Sequence, residues 1–236
     1  MTTSGVSIYE LSRDNIIAAA MRKCGRLAKG QSPDSTDLTN GMQALNAIIA
    51  EFQTLGMPLW ARAEYNLTMV AGQRDYTFGV GQTINTAFPL HVQGVVLANA
   101  SGGAVRTLFP EARDDFNLLN RTSTGTPVSF TYQPKVNQGV LSLWPLPDAN
   151  AVSDYTVRVT YQRPFDGFTS ASETPDFPQE WQNALIYHTA VALAPEFGVP
   201  LEDRKLLNQE AKMHLDTALQ NAAEDASIFF QVDRRR

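Results

Sequence analysis

An α+β fold is predicted: a four-helix body formed by the N- and C-terminal segments, with a small antiparallel β domain inserted between them. Three observations predict it. Apolar residues recur at spacings of three and four before residue 62 and again after residue 175, the period of a helix with one buried face. Between about 63 and 165 the chain turns to Thr, Val, Tyr and Phe interleaved with Gly and Pro, the composition of strands and turns. Helical ends around a strand-rich middle fold most economically as one helical layer interrupted by a β insertion.

The first helix is expected from Ser12 to Leu27. Ile16, Ile17, Ala20, Met21, Cys24, Leu27 and Ala28 form its apolar stripe, and Gly30 stands where a left-handed cap would sit. Ser32-Pro33-Asp34 starts a second helix, with Leu38, Met42, Leu45, Ile49, Phe52 and Leu55 on one face and Gly56 and Pro58 as its stop. Strands are expected near 65–70, 92–98, 104–108, 127–132, 139–144 and 154–162, with a hairpin turn at Asn99–Gly103 and a short helix over Pro110–Leu119. In the last strand Tyr155, Val157, Val159 and Tyr161 face one way and Thr156, Arg158, Thr160 and Gln162 the other, the alternation of a half-buried strand. Pro145 has no N–H for a ladder and ends the strand before it. A polar loop over 148–153 should then join the two as an antiparallel hairpin with an exposed tip. A third helix carries Trp181, Ala184, Leu185, His188, Val191 and Ala192 inward and ends before Gly198, and a fourth runs from Leu201 to Ser227. The expected division is 1–62 and 166–226 for the helical body, 63–165 for the β domain and 227–236 for a C-terminal tail.

With 236 residues and 43% hydrophobic content, the chain has enough apolar material for an ordered core. No apolar run reaches the roughly 18 residues of a membrane span, and the first 25 residues lack the marks of a signal peptide. A cytoplasmic origin and no membrane contact are expected. Cys24 stands alone, which rules out an internal disulfide and favours a buried thiol. Nineteen basic against 24 acidic side chains, net −5, argue against a broad grip on nucleic acid. Acidic walls would instead let DNA slide past without sticking.

Motifs for chemistry are weak. The glycines of GVGQT at 79–83 have neither the spacing nor the lysine of a phosphate cradle and mark a turn. His91, His188 and His214 lack ligand-spaced partners, so no metal is expected, and His188 is expected as a satisfied core or interhelix histidine. Asp114 and Asp115 are the one adjacent acidic pair considered for catalysis; on a helix they point about 100° apart. Trp144, Tyr132 and Tyr161 could form a sugar platform, although aromatics at strand positions more often build a core. The tail ASIFFQVDRRR reads either as a frayed end or as a docking arm, with Phe229 and Phe230 as anchors and Arg234, Arg235 and Arg236 as cations.

AAAMRKCGRLAKGQSP, ALNAIIAEFQTLGMPLW, GTPVSFTY, LSLWPLPD, YTVRVTYQRP and DFPQEWQNALIYHTAVALAPEFG, in that order, resemble the head-to-tail adaptor (connector) proteins of tailed bacteriophages, of the tail tubular protein A and tail accessory factor type. The β segment is longer than in the shortest members around 79–90 and 99–126. The resemblance implies a structural virion protein in the neck of the particle, assembled in the host cytoplasm. It implies a ring of about twelve subunits beneath the portal protein that closes and extends the DNA channel and offers a platform to a downstream tail or nozzle protein. It carries over no catalytic residue, cofactor or metal. On that basis Phe229, Phe230, Arg234, Arg235 and Arg236 are candidates for portal binding, and Pro147, Asp148 and Asn150 for contact with the downstream component. The alternative expectation is a phage-associated cell-wall hydrolase or carbohydrate-binding module. A DNA-binding packaging factor conflicts with the acidic balance.

Overall fold

The structure, a computed structural model, describes residues 9–55 and 59–221. Among these the helices are α1 (Arg13–Lys23), α2 (Ser35–Phe52), α3 (Arg113–Leu118), α4 (Ala149–Asp154), α5 (Gln182–Leu193) and α6 (Leu201–Asn221). The strands are β1 (Arg62–Leu67), β2 (Asp75–Phe78), β3 (His91–Asn99), β4 (Ala104–Thr107), β5 (Phe109–Pro110), β6 (Thr124–Gly125), β7 (Ser129–Lys135), β8 (Gln138–Trp144), β9 (Leu146–Pro147) and β10 (Tyr155–Gln162). The architecture is α+β, and the chain divides into two compact units, Met1–Trp60 with Phe165–Arg236, and Ala61–Pro164.

In the first unit α1 packs on α2 and α5, α2 on α5, and α5 on α6. Helix α1 ends earlier than its periodicity predicts. Gly25, not Gly30, takes the left-handed cap at φ +72°, and the Arg26 N–H reaches back to Met21 O and that of Gly25 to Arg22 O, closing the last carbonyls. At its other end Ser12 makes no side-chain cap. The N–H groups of Arg13 and Asp14 donate instead to Glu173 O and Ala171 O, so the loop ahead of α5 serves as the cap. Asp34 caps α2 as expected, accepting from Asp37 N at 2.7 Å. The buried stripe of α2 is Gly41, Leu45, Ile48, Ile49 and Phe52, whereas Leu55 is exposed.

Helix α5 is buried on almost every side, through Ala184, Leu185, Ile186, Thr189, Ala190 and Leu193, as expected of a central helix. Val191 and Ala192 lie off the buried face that the sequence assigned them. A cluster of aromatic rings closes one part of this core. Trp60 stacks on Phe165 at 4.8 Å, and Phe177, Trp181 and Phe52 meet edge-on around them.

The second unit has two four-stranded sheets, in the orders β1-β10-β3-β4 and β2-β8-β7-β5. Their inner faces share one core of Leu67, Tyr76, Phe78, Val95, Leu97, Phe130, Leu141, Leu143, Val157 and Val159. The long strands pair antiparallel; β5–β7 and β6–β9 are two-residue parallel contacts. The Asn99–Gly103 turn is formed as predicted, with Gly102 at φ +80° and Asn99 Oδ1 accepting from Gly103 N. The GVGQT segment is likewise a turn. Strand β2 escaped the sequence reading because only Tyr76 and Phe78 signal it, inside a glycine-flanked stretch.

The predicted hairpin is corrected. Strand β8 pairs with β2 and β7, whereas β10 pairs with β1 and β3, so the two strands stand in different sheets. Alternation fixes which face of a strand is buried but not which neighbour it bonds. Leu141 and Leu143 therefore meet Val157 and Val159 across the core rather than along one ladder. The connection is correspondingly not a polar loop: β9 and α4 carry the chain from one sheet to the other, and Pro147 and Ala151 are buried on the way. Within β10 the pairing with β3 shifts between Thr160 and Tyr161, and beyond that bulge Gln162 is buried instead of facing solvent.

Candidate interaction surfaces

The candidate residues fall into four places. Phe229, Phe230, Arg234, Arg235 and Arg236 lie outside the described residues. Of the second group, Asn150 is exposed on α4, Pro147 is buried, and Asp148 is the N-cap of α4, its Oδ1 accepting from Ala151 N at 2.7 Å. The side chain of Asp148 is thus engaged within its own unit, and the outward surface at this point is Ala149, Asn150, Ser153 and Asp154.

Asp114 and Asp115 occupy the first turn of α3, both exposed, where a carboxylate complements the helix dipole. The aromatic trio does not form a platform. Tyr161 is core, packing edge-on against Phe78, and the half-buried Tyr132 donates its hydroxyl to Pro89 O. Burial raises the Tyr132 pKa above the ordinary tyrosine value, with the neighbouring Tyr161 adding to it. Trp144 donates Nε1–H to Asn120 O at 2.8 Å.

Cys24 is the buried thiol that the sequence predicts: its Sγ donates to Ala190 O at 3.1 Å, and burial pushes its pKa up to about 11. His188 does stand between helices, its ring edge-on to Phe52 at 5.1 Å, but it is not satisfied, because the buried Nε2 has no hydrogen-bond partner. Burial holds its pKa below the ordinary 6.5, opposed by the Glu51 carboxylate and the Ala211 carbonyl. In the loop ahead of α5, Glu173 accepts from Thr169 N, Thr169 Oγ1 and Ser170 N, and these donors lower its pKa to about 2.

Two surface features have no clear signal in the sequence. Val105, Phe109 and Leu118 are large apolar side chains left exposed on the β unit, and Leu206 and Met213 are seven residues apart on the exposed side of α6. A polar cleft of about 160 Å³ also opens beside α3, with Arg74, Arg121 and Lys135 among its lining residues. These cations are scattered over some sixty positions, so only the folded sheet brings them together.

Among the described residues no helix is long and apolar enough to cross a membrane, and no group of three or more His, Cys, Asp or Glu side chains is placed to hold a metal ion. No curated protein sequence matches the chain. A family model, SU10 adaptor protein, matches it over residues 13–236, which spans both units.

Proposed function

The chain belongs to the SU10 adaptor protein family, and from that premise we propose a head-to-tail adaptor that forms a ring beneath the portal protein of a phage head. The family membership makes it a phage structural adaptor. The finer reading is a ring of about twelve copies, built by head-to-tail contacts that close because the rotation per subunit is right. Each copy adds contacts to its neighbours and to the portal, so assembly is multivalent and templated. The ring extends the channel through which double-stranded DNA passes without specific binding, and it offers a platform to the downstream tail or nozzle protein. The protein is then part of the virion neck.

Within this reading the four long helices, α1, α2, α5 and α6, act as one body that packs side by side with its neighbours in the ring. The C-terminal segment, with Phe229, Phe230 and Arg234 to Arg236, reaches the portal, since two aromatic anchors and three guanidiniums are the residue types that dominate interface energetics. On the β unit, Asn150 and its exposed neighbours on α4 face the downstream protein; Pro147 and Asp148 contribute by holding α4 in place. The observation that carries the reading is the family match along nearly the whole chain.

The experiment is truncation after Ser227. The shortened chain is expected to keep its circular dichroism spectrum and melting temperature and to lose co-sedimentation with the cognate portal. Undiminished portal binding by the folded, truncated chain would contradict the docking role of the tail.

A further inference from the structure

We propose that the polar cleft beside α3 is an oxyanion site, taking a phosphate group either from a nucleic-acid backbone or free in solution. The cleft follows from strand register. Asp75 pairs with Ser142, Ser142 with Thr131, and Val140 with Gln133. With a period of two, Asp75, Ser142, Val140, Gln133 and Lys135 therefore share the sheet face opposite to Tyr76, Leu141 and Tyr132, which belong to the core. Helix α3 packs on β7 and buries Phe116. The space left beside it is lined by Arg74, Arg121, Lys135, Asn117, Gln133 and Ser142.

The lining is donor-rich. Arg74 lies with its guanidinium carbon 4.5 Å from the centre of the Phe116 ring and donates through Nη2 to Phe116 O, which fixes the fork and leaves further N–H groups of its five unused. Among the described residues Arg121 and Lys135 make no ion pair. The one carboxylate in the lining, Asp75, already accepts the Ser142 hydroxyl at 2.5 Å. Three cations against one occupied carboxylate leave a positive balance in a concave place, with Arg121 and Lys135 open to solvent. A tetrahedral oxyanion satisfies such a set through charge-assisted hydrogen bonds.

The surrounding charge points the same way. Ala61–Pro164 carries eight Lys and Arg against seven Asp and Glu, while the rest of the chain carries 11 against 17. A polyanion is thus repelled by the other unit and not by the β unit, whose net charge is close to zero. Three cations in one cleft match a single phosphate, not a long tract. The site is read from this chain alone; only DNA as the phosphate source rests on the adaptor reading.

The test uses the full chain without portal. Inorganic phosphate is titrated against chloride at matched ionic strength while the amide and arginine side-chain NMR signals are followed. A short duplex DNA is titrated at low salt by fluorescence anisotropy. Saturable shifts centred on Arg74, Arg121 and Lys135 are expected, and they are lost in R121E/K135E. Where DNA is the source, the same variant weakens duplex binding by at least about tenfold, and the equal charge change K29E/K212E, on exposed positions of the other unit, leaves it unaltered. Phosphate shifts without DNA binding assign free phosphate as the source. R121Q/K135Q replaces the charge-reversed pair if circular dichroism shows the latter unfolded. Phosphate indistinguishable from chloride overturns the site, as does a response equally reduced by K29E/K212E. Neither result bears on portal binding, which the truncation tests separately.

Discussion

Gly41 stands in the seventh position of α2, inside a helix, where glycine costs about 1 kcal/mol relative to alanine. Its retention has a visible reason. A Cβ built on Gly41 would lie 2.4 Å from Ile17 Cγ2, 3.2 Å from Cγ1 and 3.3 Å from Cβ. Carbon atoms in contact sit at about 3.5–4.0 Å, so the nearest pair would overlap by more than 1 Å. Ile17 has no exposed surface toward which it could retreat.

Overpacking of this kind costs about 1–3 kcal/mol, and the gain in helix propensity returns about 1. Gly41→Ala should therefore destabilise the chain by up to about 2 kcal/mol, or up to about 8 °C in melting temperature. Ile17→Ala alone should cost about 2–4 kcal/mol through the cavity it leaves. In that background both offending Cγ atoms are gone, and Gly41→Ala should turn neutral or stabilising. The double-mutant cycle should then show a favourable coupling of about 1–3 kcal/mol. Chemical denaturation followed by circular dichroism at 222 nm reads all four proteins. A stabilising Gly41→Ala in the wild-type background, or strict additivity with Ile17→Ala, would refute the close approach of α1 and α2.

The half-buried His188, whose Nε2 is shielded from solvent, makes stability depend on pH. Its folded pKa lies below 6.5, so on acidification the unfolded chain takes up the proton first; the stability is full above about 6.5 and declines below it. Melting curves from pH 8 to 5 should show this decline, and His188→Gln should flatten it. A Cβ on Gly139 would fall 1.9 Å from the Tyr132 hydroxyl and 2.6 Å from Cζ, and the bond from that hydroxyl to Pro89 O prevents the ring from yielding. Gly139→Ala should lower stability by about 1–3 kcal/mol, and Tyr132→Phe should recover little, since the ring itself obstructs. Asp148→Ala should cost about 1 kcal/mol through loss of the α4 cap, while Asn150→Ala should leave denaturation midpoints unchanged, a contrast that separates the structural residue from the exposed one.

Much of the fold was legible because burial has a period. The 3–4 spacing placed α1, α2 and α5 within a few residues, and the alternation at 155–161 gave the buried face of β10. Partner choice between strands leaves no such trace, and this is why β8 and β10 were read as a hairpin when they face each other across a core. Helix ends were misread where two glycines competed: Gly25 and Gly30 both adopt positive φ, and the nearer one takes the α1 cap. The turn helix α4 was hidden because Asp-Ala-Asn reads equally as a turn and as a cap followed by helix formers. The polar cleft was invisible for a different reason. Arg74, Arg121 and Lys135 come from a strand approach, a helix exit and a strand end, and no local pattern links them. Family resemblance, in contrast, was carried by the order of helical and strand phrases, which the match over residues 13–236 reflects.

The adaptor reading is tested most directly by cryo-electron microscopy of the full chain mixed with its cognate portal. The account predicts a closed ring of this protein seated coaxially under the portal, with density for residues 228–236 on the portal surface and the α4 side of the β unit turned away from it. A protein that stays monomeric beside an undecorated portal, or that binds it elsewhere than around the channel axis, would contradict it.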